Sequence, residues 1–174
     1  GVLTFSSAPN FESKQDSDAN NSYVVQVQVS DGTNTDTQTI TVSILDVNEF
    51  TPVITSIASI AVNENISSVT TVTSTDGDSS STATYTIIGG TDASDFTLGS
   101  SGVLTFTSAP NFESKQDSDA NNSYVVQVQV SDGTNTDTQT ITVTVIDVNE
   151  APIITSNSGG STASINVNEN TSAV

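Results

Sequence analysis

The sequence contains no Cys, His, Met, Trp or Arg, and its two cations are Lys14 and Lys115. Each absence excludes chemistry. Without Cys or His there is no thiol nucleophile, no His-dependent triad, and no thiolate or imidazole site for zinc. Two cations among 174 residues make no electrostatic footprint for nucleic acid or anionic lipid. No run of about 18 apolar residues occurs, so no membrane insertion is expected of this segment. The missing Met reads as an interior piece or a processed product. Oxygen is what remains for metal binding, and oxygen ligands select hard cations.

What is present is acid, hydroxyl and repetition. Asp and Glu number 20 for a formal charge of -18, and Ser and Thr contribute 28 residues each. Residues 1–49 and 102–150 match at 45 of 49 positions at a constant offset of 101. The four differences are Ser6/Thr107, Ser43/Thr144, Ile44/Val145 and Leu45/Ile146. Pro52-Val53-Ile54-Thr55-Ser56 recurs as Pro152-Ile153-Ile154-Thr155-Ser156, and Val62-Asn63-Glu64-Asn65 recurs as Val167-Asn168-Glu169-Asn170. A unit of about 100 residues is too long for a stacked solenoid and long enough for a self-contained domain. The expected organisation is the C-terminal half of one unit (1–49), a complete unit (50–150, linker near 50–52) and the start of a third (151–174).

Within the complete unit the apolar period is two. Tyr124, Val126, Val128 and Val130 share one face, and Ile141, Val143 and Val145 another. Shorter alternations lie at Ile60 and Val62, around Val72, at Tyr85 and Ile87, at Phe96 and Leu98, and at Leu104 and Phe106. Turn signals at Asp76-Gly77, Gly89-Gly90, Ser101-Gly102 and Asp132-Gly133 separate them. No segment has helical spacing. The pattern predicts an all-β fold of tandem seven-stranded antiparallel β-sandwiches with Greek-key, immunoglobulin-like connections. The leading piece predicts strands near 2–5, 23–29 and 39–45, and the trailing piece one or two more. The leading apolar face then lacks an opposing sheet, completed either by further sequence or by neighbouring chains.

The acids fall at strand ends, and alternating strand direction sends them to two poles. Asp76, Asp78 and Asp132 belong to one pole of the complete unit; Glu64, Glu113, Asp147, Asn149 and Glu150 belong to the other. Carboxylates gathered this way repel, and calcium accepts 6 to 8 oxygens with tolerant geometry. Isolated acids such as Asp95 and Asp137 read as solvated. Asp117-Ser118-Asp119-Ala120-Asn121 opens like an EF-hand loop, but Asn122 stands where that loop needs Gly and Val128 where it needs Glu, so it reads as a polar loop.

These runs, with Asn111-Phe112-Glu113 and Asp147-Val148-Asn149-Glu150-Ala151-Pro152, resemble the cadherin-like repeats of large bacterial surface and adhesin proteins. The resemblance covers the whole chain. It implies linker calcium held by a first-strand Glu, a DRE-like Glu and a DxNDN-like linker of one repeat, with a DxD pair and a later Asp from the next. Carried onto this sequence, the first junction uses Glu12, Asp46, Asn48 and Glu49 with Asp76, Asp78 and Asp132. The second uses Glu64, Glu113, Asp147, Asn149 and Glu150. Asn10 and Asn111 replace the Asp of the DRE-like motif, and Phe50 or Ala151 replaces the last Asn of the linker. Fewer ions per junction are therefore expected, with a modest affinity of about 10⁻⁴ to 10⁻³ M.

The function so implied is a calcium-rigidified spacer of an extracellular, cell-surface or secreted adhesin. Its partners would be calcium ions, neighbouring repeats, and identical chains or a cell-surface ligand, with no nucleic acid among them. The alternative is a matrix or filament subunit assembling by strand complementation between chains. Catalysis is not expected, because acid pairs at repeated poles lack the cleft and controlled separation that hydrolysis requires.

Overall fold

The computed structural model describes residues 1–78 and 81–172, so positions 79–80 of the second unit and 173–174 of the third lie outside it. Strands form where the alternation is strongest. They are β1 (Ser22–Ser30), β2 (Thr35–Ser43), β3 (Val53–Ile54), β4 (Ser59–Asn63), β5 (Ser68–Thr71), β6 (Ser74–Thr75), β7 (Thr84–Gly89), β8 (Phe96–Leu98), β9 (Val103–Phe106), β10 (Ser123–Ser131) and β11 (Thr136–Ile146). Residues from β3 to β11 build a single all-β sandwich. One layer is the sheet β4-β11-β10-β7; the other comprises β3-β6 and β5-β9-β8.

The core lies between the layers. Tyr124, Val126, Val128, Val130, Ile141, Val143 and Val145 face Val72, Phe96, Leu104 and Phe106, all buried. Phe106 meets Tyr124 edge-on at 5.0 Å and stacks with Phe96 at 4.6 Å. Gly102 is needed for closure: its φ is +88°, and a Cβ there would collide with the Val72 carbonyl. Its own carbonyl accepts the Val72 N–H at 2.7 Å.

Three expectations are corrected. The sandwich is not wholly antiparallel, for β4 runs parallel to β11 with Ile60 opposite Val143 and Val62 opposite Val145. No hairpin joins these two strands; the direction of β4 is set by the crossing from β3 between the layers. No strand forms at 2–5, although its copy β9 does. β9 is held between β5 and β8, and residues 1–49 hold no copy of either, so the ladder has no partner. Phe5 nevertheless lies edge-on to Tyr23 at 5.1 Å, as Phe106 does to Tyr124. The described residues of 151–172 form no strand either, only a 3-10 turn at Ser156–Gly159. Among the described residues no helix is long and apolar enough to cross a membrane.

β1 and β10 have the same nine residues, and both hairpins pair in the same register, Val27 with Gln38 and Val128 with Gln139. Burial separates them. Val128 is fully buried, whereas Val27 is half-buried and Val29 is 67% exposed. This gives a matched experiment. Val128→Ala should cost about 2 kcal/mol of sandwich stability, and Val27→Ala, at the identical local position, well under about 1 kcal/mol. Denaturant midpoints of the two variants read the difference.

Candidate metal centre

Strand register delivers the acids to the poles. At one pole β10 ends at Ser131 beside Thr84, the start of β7, and Asp132 follows. The Asp132 carboxylate organises the turn there, accepting the N–H groups of Thr134 at 2.7 Å and Asn135 at 2.6 Å. Burial alone would raise its pKa, but these donors, with the Asn135 and Asn48 side chains, outweigh it and hold the carboxyl below the ordinary range. Asp76 and Asp78 reach the same pole after β6, the Asp78 N–H donating to Asp76 Oδ1 at 3.0 Å. At the other pole β4 ends opposite Ile146, so Glu64 emerges beside Asp147.

Carboxylate oxygens of three acid groups lie within 4.8 Å of one another: Asp76, Asp78 and Asp132; Glu12, Asp46 and Asp78; and Glu64, Glu113, Asp147 and Glu150. The first two share Asp78, which joins residues on both sides of the linker. Glu49 is exposed; its charge, with that of Asp46, adds to burial in raising the Glu12 carboxyl above its usual range. Asn149 is exposed on the second linker.

Contacts across the first linker are direct. The Phe50 N–H donates to Asp78 Oδ2 at 2.9 Å. Asn135 Nδ2 donates to the Phe50 carbonyl at 2.8 Å and to Asn48 Oδ1 at 3.2 Å. The Phe50 ring covers Gly77 so closely that a Cβ there would lie 2.5 Å from its Cγ. Sequence reasoning missed Asn135; its signal was the recurrence of Asp-Gly-Thr-Asn at 31–34 and 132–135. Nothing in the sequence pointed to the ring over Gly77.

The residues fit a hard cation. Glu12 Oε1 and Oε2, Asp76 Oδ2 and Asp78 Oδ1 are shielded from solvent and accept no hydrogen bond. Shielded carboxylate oxygens without partners are costly, and a cation satisfied by oxygen alone supplies what they lack. The second pole differs. Glu64 is buried, with Oε1 accepting the Val148 N–H and Oε2 the Phe112 N–H, both at 2.9 Å. Those two donors hold its carboxyl below the usual range. Each oxygen retains a second lone pair for a metal. Burial, then the Glu113 and Glu64 charges, raises Glu150.

Not every buried acid belongs to a metal group. Asp92 accepts the N–H groups of Ser118 and Val125, both at 2.8 Å. Asp117 accepts those of Asn121 at 2.6 Å and Asn122 at 3.1 Å. The EF-hand-like segment is thus a loop pinned to the sandwich, with Asn122 at φ 64°. Asp137 is not simply solvated: Oδ2 accepts the Ile54 N–H at 2.9 Å and ties β11 to β3.

No protein-family model matches the sequence, and no curated protein does. Solved structures match the fold. Mouse cadherin-23 EC22–24 superposes with TM-score 0.58 at 23% identity, over 82% of this chain and 45% of that one. Mouse clustered PcdhgC3 EC1–3 gives 0.61 at 23%, over 81% and 46%. Human protocadherin-24 EC1–2 gives 0.55 at 19%, over 82% and 71%. The chain spans under half the length of the first two. The sandwich therefore has a cadherin-like extracellular-domain fold. These neighbours are mammalian cadherins and protocadherins, and at 19–23% identity the likeness is one of fold.

The loop anchor makes a prediction. Asp92→Ala would leave the Ser118 and Val125 N–H groups unpaired and cost about 2–3 kcal/mol. Burial by itself raises the Asp92 carboxyl, but its hydrogen-bond donors outweigh burial and bring it below the ordinary 3.8. A depressed folded pKa stabilises above the unfolded value and is lost as pH falls through the folded one. Wild-type stability should therefore decline as pH drops below about 4, and decline less steeply in Asp92→Ala, as read by unfolding midpoints between pH 7 and about 3.

Proposed function

We propose that this segment is a calcium-binding, calcium-rigidified stretch of an extracellular adhesin, serving as a spacer and in cell adhesion. The observation that carries the reading is the pair of acid groups sharing Asp78 across the linker, with shielded oxygens that accept no hydrogen bond. Glu12, Asp46, Asn48 and Glu49 would hold the ion from one side, and Asp76, Asp78 and Asp132 from the other. Glu64, Glu113, Asp147, Asn149 and Glu150 would serve the next junction. Residues 1–49, 50–150 and 151–174 are then successive parts of tandem β-sandwiches.

Calcium supplies positive charge and a many-oxygen coordination shell when bound. The chain's own residues do the rest. Asn135 and Phe50 hold the linker against the second unit, and the Asp132 turn presents its carboxylate to the pole. Without a cation the gathered acids repel and the joint flexes; neutralising them fixes the angle between units. A stiff rod of such units holds whatever lies at its end away from a cell surface.

Calorimetric titration with calcium should show the first junction's binding weakened at least about tenfold in the double variant Asp76→Asn, Asp78→Asn. Unchanged binding would remove these residues from the site. Small-angle scattering should give a longer and less variable particle in calcium than in chelator; superimposable profiles would exclude rigidification. Protons compete at Glu12 and Glu150, whose carboxyls titrate above the ordinary 4.5. Their protonation begins at a higher pH than for free Glu, so affinity should fall as pH drops toward 5. Titrations repeated across that range check it.

A further inference from the structure

Asp-Gly occurs at three turns of the chain, and its glycines are there for different reasons. Gly32 and Gly133 have φ of +96° and +98°, with nothing within 4 Å of an added Cβ, so the backbone alone requires them. Gly77 is the opposite case. Its φ lies outside the left-handed region, and the three atoms nearest an added Cβ all belong to the Phe50 ring, at 2.5, 2.7 and 2.8 Å. Position 77 has no side chain because a ring from the linker fills that space.

Phe50 also reaches the two acids that flank this glycine. Its N–H donates to Asp78 Oδ2 at 2.9 Å, and the Asp78 N–H donates in turn to Asp76 Oδ1 at 3.0 Å. Each carboxylate is thus tethered through one oxygen. The other oxygens, Asp78 Oδ1 and Asp76 Oδ2, are shielded from solvent and accept no hydrogen bond. The Phe50 carbonyl is itself held by Asn135 Nδ2 at 2.8 Å. None of these contacts uses a cation. The corresponding place in the second linker is Ala151, which has no ring.

We propose, on the reading of the first junction as a calcium site, that Phe50 is its positioning residue. The ring on Gly77 and the N–H on Asp78 hold the Asp76 and Asp78 carboxylates in place before a cation arrives. Ligands ordered in advance lose less conformational freedom on binding, which raises affinity without adding a contact. The Phe50 side chain supplies no oxygen, so it acts on the ion only through the order of these two acids.

Calorimetric titration of the 174-residue chain with calcium tests this as a double-mutant cycle. The first-junction component is the one that Asp76→Asn with Asp78→Asn weakens. Phe50→Ala should weaken that component about three- to tenfold, and Phe50→Tyr, which keeps the ring, should retain wild-type affinity. Gly77→Ala should weaken it in the wild-type chain and have no further effect in Phe50→Ala, where the space is open. In chelator the Phe50 amide proton should be protected from exchange, with protection at least about tenfold lower in Phe50→Ala. Phe50 precedes the sandwich strands and is 43% exposed, so the sandwich's thermal unfolding in chelator should not change. Equal affinities in wild type and Phe50→Ala, or equal losses from Gly77→Ala in both backgrounds, overturn the positioning role and leave the calcium site standing. A freely exchanging Phe50 amide in wild type overturns it whether or not calcium binds. Binding indifferent to Asp76→Asn with Asp78→Asn removes the calcium reading, and the positioning role with it.

Discussion

Tyr124, Val126, Val128 and Val130 leave water because Val72, Phe96, Leu104 and Phe106 lie against them, and everything at the poles depends on that closure. Each fully buried apolar side chain contributes about 1.5–3 kcal/mol. Period-two alternation then forbids a one-residue slip, which would turn the whole apolar set to solvent. With β10 and β11 locked in register, the loops beyond their ends have no freedom of address. Asp132 must follow Ser131 at one pole, and Asp147 must follow Ile146 at the other.

The molecule uses carboxylates in two ways, and the difference is a matter of who supplies the donors. Asp92 and Asp117 sit inside the fold because backbone N–H groups converge on them; they anchor a loop and need nothing else. Asp76, Asp78 and Glu12 are shielded with oxygens that no protein donor reaches. Glu64 stands between these cases, satisfied by two N–H groups yet surrounded by three further acids. A chain with two cations cannot balance such groups from its own side chains, and nine of its 20 acids fall in the three groups.

Much of the candidate centre was legible because the acids recur in order at strand ends, and strand direction alone assigns a pole. The parallel β4 was not legible, since the pattern of Ile60 and Val62 is the same beside a parallel or an antiparallel neighbour. The Phe50 ring over Gly77 and the reach of Asn135 to the linker were also hidden, because both join residues far apart in sequence through a fold that had first to exist. Asp137 looked like an ordinary exposed acid for the same reason: its partner is the Ile54 N–H, 83 positions away. Strands expected at 2–5 and beyond 152 failed because apolar alternation says which face a strand would bury, and says nothing of whether a ladder partner is present.

The two copies of Ser-Tyr-Val-Val-Gln-Val-Gln-Val-Ser separate what each level decides. By itself the sequence determined the hairpin: β1 and β10 fold back on β2 and β11 in the same register, with the same Asp-Gly-Thr-Asn turn between them. It also determined which face is apolar and where the acids lie along the chain. Only the tertiary structure decided whether that face is dry, how far the last strand extends, and which acids meet. Hairpin register is set by residues a few positions apart, whereas burial and the meeting of carboxylates require a second layer and an adjoining unit. Among the described residues the leading hairpin, nearly identical in sequence, has no opposing sheet, and its inward face is only half-buried.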